Sequence, residues 1–335
     1  MSLSRRTFLK FSVGSAAFLH SPAAWAKAAE KVVMPMRRFG RHKDLLSILG
    51  LGGHTLYLAG SQKEANGILH RAMDLGVNFF DNAWDYHNGA AEEYMGIAMQ
   101  GRREKAFLMS KFCNYHSDNY TADVAGAMRM LEDSLRRLRT DHLDLWMLHN
   151  VSDDDANDAY RVEGAIEAME LAKQQGKIRY TGFTGHTEAK VHRDLIEGGY
   201  AWDATLMPVS VLGALKSRAF ESEIMPLCAK NKIAVLGMKG FGGSRRTQLH
   251  ERTNVQQVLQ YSLSYPEVTT HLVGLDKLEY LDQAVAGCSA KPFQAEERGQ
   301  FAVNDAPHSP DLAALQHGGI NYESCCSKRH KRRDV

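Results

Sequence analysis

Four side chains stand out for the chemistry that their types and order allow: Asp81, Tyr86, Lys111 and His149. Three of them close a short apolar run. Asp81 follows Val77-Asn78-Phe79-Phe80, Lys111 follows Ala106-Phe107-Leu108-Met109-Ser110, and His149 follows Leu143-Asp144-Leu145-Trp146-Met147-Leu148; Tyr86 comes shortly after Asp81. An acid, a phenol, an ammonium and an imidazole at one place suit proton delivery to an oxygen that turns basic as a carbonyl gains a hydride. A phenol at its ordinary pKa of about 10 is a poor donor at neutral pH. A neighbouring ammonium favours the phenolate and lowers that pKa. In this scheme Asp81 holds Lys111 charged and in place, and His149 hydrogen-bonds the substrate oxygen and orients it beside Tyr86. Any one of the four alone is an ordinary strand-end surface group. Four of the right types at successive strand ends are not.

The elements that must position them follow from periodicity. From Ser47 onward short apolar runs alternate with longer amphipathic ones, the pattern of parallel βα units. Strands are expected near 47–51, 77–81, 106–111, 143–148, 179–184, 204–208, 233–238 and 269–274, with helices between. Val124, Ala127, Met128, Leu131, Leu135 and Leu138 recur at helical spacing, as do Val162, Ala165, Ile166 and Met169. Gly76 and Gly176 follow helical runs, where left-handed cap residues belong. Eight such units in a chain of 335 residues predict a single α/β domain, a closed (β/α)8 barrel with its active groups at the carboxyl ends of the strands. A doubly wound sheet would want Gly-x-Gly-x-x-Gly after its first strand, and Gly50-Leu51-Gly52-Gly53 does not fit. Residues before 47 predict a short capping hairpin that turns at Gly40.

These segments carry a resemblance. Phe80-Asp81-Asn82-Ala83-Trp84-Asp85-Tyr86 resembles the aldo-keto reductase motif Phe-Asp-Thr-Ala with Tyr five after the Asp, and Asn88-Gly89-Ala90-Ala91-Glu92-Glu93-Tyr94-Met95-Gly96 resembles its continuation. Ser110-Lys111 and Leu148-His149 match the family's Lys and His positions. The resemblance runs from about Arg37 to Ala286. It implies a catalytic tetrad of Asp81, Tyr86, Lys111 and His149, and reduction of aldehydes or ketones to alcohols, or the reverse.

It also implies NADP or NAD lying across the barrel mouth, with the nicotinamide beside Tyr86. The implied contacts are Gly53, Thr184, Gly185, His186, Met238, Lys239, Gly240, Gly242, Lys277 and Gln283. Three positions depart from the family pattern. Gly185 replaces an Asn that holds the carboxamide, with His186 as the expected substitute; Leu206 replaces a Gln, and Met238 an aromatic that stacks on nicotinamide. The turn Lys239-Gly240-Phe241-Gly242-Gly243 suits close approach of backbone N–H groups to a pyrophosphate. Lys277 suits the 2′-phosphate of NADP, although Asp276 beside it repels one.

The remaining features bound the setting. With 44% hydrophobic residues, 24% charged and a net charge of +2, nothing suggests nucleic acid as a partner. The five cysteines are irregularly spaced and include no CxxC pair, so no metal is implied; Cys113, Cys228 and Cys288 read as buried thiols, and Cys325-Cys326 as an adjacent pair in a polar tail. Ser4-Arg5-Arg6-Thr7-Phe8-Leu9-Lys10 closely resembles a twin-arginine export signal, and Ala24-Trp25-Ala26 a cleavage site. Residues 1–26 are therefore expected to be a signal peptide, read by the Tat export machinery, that delivers a folded protein to the periplasm. The run Phe11 to Trp25 is too short and polar for a stable membrane span. Loss of Arg5, Arg6 and Lys10 from the 41 basic residues leaves 38 against 39 acidic ones, a net of −1. Residues 27–290 form the barrel, and 291–335, with few apolar positions and a basic end, read as a mobile extension without assigned function. A rival reading, motivated by the relaxed nicotinamide contacts, is a cofactor-binding sensor or regulatory subunit with little turnover.

Overall fold

The computed structural model describes residues 33–113, 123–151, 159–186, 188–210, 220–241 and 254–305. The chain opens with an antiparallel hairpin, β1 (Met36–Arg38) and β2 (Leu45–Ser47). The barrel strands follow: β3 (Leu49–Gly52), β4 (Phe79–Asp81), β5 (Phe107–Phe112), β6 (Leu143–Leu148), β7 (Ile178–Thr184), β8 (Ala204–Pro208), β9 (Ala234–Met238) and β10 (Val268–Val273). All eight pair in parallel and in sequence, and β10 returns to β3 to close the barrel. The expected strands match these within two residues at each end. Outside them lie α1 (Gln62–Asp74), α2 (Ala90–Ala98), α3 (Val124–Leu138), α4 (Ala159–Gln174), α5 (Ala189–Glu197), α6 (Met225–Asn231), α7 (Val255–Ser262) and α8 (Leu278–Gly287).

Two cores follow from the side-chain period of two along each strand. One set points outward under the helices, among it Leu108, Trp146, Phe183 and Val235. The other fills the barrel: Phe79, Phe107, Met109, Leu145, Met147, Ala204, Leu206, Ala234, Leu236 and Met238. The helices start where local chemistry allows. Asp123 caps α3 by accepting from the Gly126 N–H at 2.7 Å, and Asn254 and Gln257 form a reciprocal capping box on α7. Gly76 and Gly176 take φ of +90° and +70°, the left-handed stops expected of them.

The hairpin closes the amino-terminal end of the barrel. Phe39 and Leu46 are fully buried and join the interior cluster. Arg37 donates to the carbonyls of Tyr265 and Leu263, and Arg41 and His42 pair with Asp203 below β8. The extension beyond residue 290 differs from the expected tail. Residues Ala295–Asp305 form a helix, α9. Phe301 packs on Phe293 and Tyr261, and the Arg298 guanidinium lies 4.1 Å from the Tyr265 ring centre. A few aromatic and cationic contacts anchor a segment whose sparse apolar pattern gives no stripe. The proposed signal peptide, Gly242 and Cys325-Cys326 lie outside the described residues.

Candidate active site

The strand period that fills the barrel also selects its mouth. Phe79 and Asp81 share one face of β4, and Phe107, Met109 and Lys111 one face of β5; Leu145 and Met147 of β6 lead in step to His149. At the carboxyl ends the apolar layers thus give way to Asp81, Lys111 and His149. All three are almost wholly buried. Tyr86 enters over them from the loop after β4.

Lys111 is the hub. Its Nζ donates to the Asp81 carboxylate, to the Asn82 carbonyl at 2.6 Å and to the Tyr86 hydroxyl at 3.3 Å. The ammonium also lies 4.7 Å from the Tyr86 ring centre. Burial pushes the Asp81 carboxyl up, against the pull of Lys111. His149 stands across the mouth, its ring centre 5.7 Å from that of Tyr86. His54 borders the same space, 5.2 Å from Tyr86 edge to face, and burial lowers its pKa to about 4, which keeps it neutral.

Two supports carry no signal in the sequence pattern. Asp85, just before Tyr86, places Oδ1 3.3 Å from His149 Nδ1. Arg137, on α3, donates to the Trp84 carbonyl at 2.9 Å and to buried Glu92 of α2 at 3.1 Å, and Glu92 accepts from Ser110 of β5 at 2.6 Å. This chain of contacts ties the loop bearing Tyr86 to two helices and a strand. Backbone geometry marks the same region. His87, Asn88, Asn150 and Lys239 hold positive φ of 50–57° in the loops after β4, β6 and β9, whereas the other two such non-glycine residues among the described residues, Arg139 and Lys232, cap helices. Left-handed non-glycine residues cost about 1 kcal/mol each and gather where a site needs them.

The expected cofactor residues divide into two groups. Thr184, Gly185, His186, Met238, Lys239 and Gly240 gather at the ends of β7 and β9, where Lys239 Nζ donates to His186 Nδ1 at 3.2 Å. Burial holds the His186 pKa well below its ordinary value, so the ring is neutral and accepts that proton. Thr184 Oγ1 accepts from the Asn150 N–H at 2.9 Å. Gly185 has a packing cause: a Cβ there would sit 2.6 Å from His192 Cε1. The same holds at Gly53, against Asn82, and at Gly240, against Val258 and His271. Lys277 and Gln283 lie apart, Lys277 exposed as the N-cap residue of α8 and Gln283 in its second turn. The Lys277 ammonium lies 5.3 Å from the Tyr280 ring centre, and an exposed basic side chain at a helix start suits a phosphate.

One cysteine reading is corrected. Cys228 and Cys288 are buried free thiols, but Cys113 is disulfide-bonded, with its partner sulfur outside the described residues. Cys113 stands at the mouth end of β5 rather than under the helices. Asp85, Cys113 and His149 bring ligand-type atoms within 4.8 Å of one another. A disulfide sulfur is not the thiolate that a metal takes; within the trio His149 Nδ1 lies 3.4 Å from the Cys113 sulfur and at ion-pair distance, 3.3 Å, from Asp85 Oδ1.

The model of the aldo/keto reductase family matches residues 48–257, which span all the strand ends described above except that of β10. The chain belongs to the aldo/keto reductase family. It is therefore an oxidoreductase that reduces carbonyl compounds with a nicotinamide cofactor. It is 27% identical over 302 residues to the uncharacterized oxidoreductase YqkF of Bacillus subtilis, covering 79% of this chain and 94% of that one. It is 32% identical over 194 residues to the methylglyoxal reductase YeaE of Escherichia coli, covering 57% and 63%. Among solved structures, the aldo-keto reductase AKR11C1 from Bacillus halodurans in its holo form superposes with a TM-score of 0.67 at 27% identity, over 81% of this chain and 96% of that one. An enzyme from Klebsiella pneumoniae solved with NADPH shares the fold, with a TM-score of 0.64 at 24% identity over 81% and 95%. None of these similarities favours the sensor reading.

Proposed function

We propose that Tyr86 is the general acid of carbonyl reduction, with Lys111 and Asp81 tuning it and His149 orienting the carbonyl. The observation that carries this is the placement of Lys111 Nζ, which bonds the Asp81 carboxylate and the Tyr86 hydroxyl at once inside a buried mouth. The ammonium favours the phenolate, so the phenol gives its proton more readily to the developing alkoxide. Run backwards, the same phenolate takes a proton from an alcohol.

The residues of the mouth fit a nicotinamide cofactor, and we infer NADPH in preference to NADH from Lys277 at the start of α8. When bound, the cofactor supplies hydride to the carbonyl carbon. Met238 offers a polarizable apolar face beside the tetrad in place of an aromatic. The Thr184 hydroxyl, its oxygen already accepting from Asn150, has its proton to give to the carboxamide. Gly240 and Gly242 let the chain pass close to the pyrophosphate. The substrate is a small aldehyde or ketone. Residues 1–26 are proposed to direct the folded protein through the twin-arginine route to the periplasm.

Fluorescence titration with NADPH and NADH tests the cofactor reading, with micromolar binding and tighter NADPH expected. Tyr86→Phe is expected to lower carbonyl reduction by at least about 100-fold while cofactor binding is unchanged. Equal turnover in that variant overturns the assignment of Tyr86, and failure of either cofactor to bind overturns the reading of the mouth.

A further inference from the structure

The form in which His149 meets the carbonyl oxygen is decided by its other ring nitrogen. Nδ1 lies 3.3 Å from Asp85 Oδ1 and 3.4 Å from Cys113 Sγ. An ionised carboxylate only accepts, and a disulfide sulfur has no proton to give. Nδ1 therefore carries the hydrogen, which points to the sulfur with the carboxylate at ion-pair distance beside it, and Nε2 is left for the substrate. In a neutral ring protonated at Nδ1, Nε2 is an acceptor and would meet the carbonyl oxygen lone pair to lone pair. Only the doubly protonated ring donates from both nitrogens.

Resting on the reading of the site given above, we propose that Asp85 is a positioning residue that holds His149 as an imidazolium, so that Nε2–H gives a charge-assisted hydrogen bond to the carbonyl oxygen while Tyr86 delivers the proton. The two side chains come from different loops, and both are nearly buried, at 9% and 4% exposed. Burial alone would push the Asp85 carboxyl up; the charge and hydrogen bond of His149, with the charge of Lys111, more than offset it, and the group lies below its ordinary pKa.

The other groups facing the ring do not set its charge. Tyr86 presents a ring edge to face, and His186, at the end of β7, is 6.4 Å away and neutral. Asp81, which also interacts electrostatically with His149, is ion-paired with Lys111. Cys113 contributes a sulfur without charge. Asp85 contributes the carboxylate. The hydrogen bond from a cation polarises the carbonyl before the hydride arrives and strengthens as negative charge grows on oxygen. No proton is consumed from His149 in this scheme; the proton in the product alcohol is that of Tyr86.

The test uses the purified full-length protein labelled with 15N-histidine, with His149→Gln to assign the signal. At pH 7.5 both nitrogens of His149 are expected to be protonated, and Asp85→Asn is expected to lose one proton. A single bare nitrogen on His149 in the unmodified protein overturns the proposal, and this spectrum decides the matter even if the variant does not fold. The second readout is the pH profile of kcat with methylglyoxal and NADPH as probes. Asp85→Asn is expected to fall about 100-fold at pH 8 and to approach the parent below the ordinary imidazole pKa of about 6.5, where the ring protonates without help. A deficit of the same size at every pH means that Asp85 only supports the loop, and overturns the proposal. Because the spectrum needs no turnover, an enzyme that reduces no carbonyl fails the general reading without touching the charge of His149.

Discussion

Lys111 has almost no contact with solvent, so its charge is tolerable only because two oxygens and a phenol surround it. Removing one partner of a buried pair leaves the other uncompensated, at a cost of about 3–5 kcal/mol, whereas removing both is often nearly neutral. Asp81→Ala is therefore expected to lower stability by about that amount, and Asp81→Ala with Lys111→Met to recover most of it while remaining inactive. Urea denaturation of the two variants checks this; equal loss in both would show that the pair is not coupled. At this scale the sequence was legible where chemistry and period coincide. Asp81, Lys111 and His149 each end an apolar run, so type and position could be read together. Asp85 and Arg137 could not be read this way. An acid beside a tyrosine and an arginine on a helix are common, and only a partner from a distant element gives them meaning. Cys113 carries no such mark either, because burial alone does not separate a thiol from a disulfide.

Elements place these residues by parity and by caps, and both are written locally. The strands β6 and β8 fall where the apolar runs put them, at 143–148 and 204–208. The helix α9 was not legible, since its hold on the barrel depends on Phe301 and Arg298 meeting Tyr261 and Tyr265 of another segment. That joint also receives the turn Phe220–Ile224, whose Glu221 interacts electrostatically with Tyr261 and Arg298. Burial raises the Glu221 pKa from 4.5 to about 7. A carboxyl raised on folding binds its proton more tightly in the folded state. Its contribution is fully present below about pH 4.5 and is lost as pH rises through about 7. Glu221→Gln keeps the shape without the charge. It is expected to be more stable than the parent by about 2–3 kcal/mol at pH 8, with the gap closing towards pH 4.5. Thermal melts across that range check it, and a gap that does not vary with pH would remove Glu221 as the cause.

For the whole molecule, closure is the dominant fact. The first barrel strand pairs with the last, so the barrel cannot be completed until β10 has been synthesised. A chain of this kind folds as a unit, and export through a route that carries folded proteins fits it. Replacing both Arg5 and Arg6 with Lys is expected to leave the protein in the cytoplasm with residues 1–26 attached, while the parent loses them and appears in the periplasmic fraction. Cell fractionation with intact-mass measurement checks this, and a parent protein that keeps those residues in the cytoplasm would sink the export reading. The alternation of inward and outward side chains also limits how such a protein changes over generations. Inserting one residue within β5 would turn Lys111 to the helices and a core leucine or serine into the well, so chemistry and packing fail together. Inserting two would restore the facing but raise Lys111 by about 6.6 Å, out of reach of Asp81. Descendants that gain or lose length must therefore do so in the loops, and the lineage is free to explore new substrates there while the strands stay fixed in count.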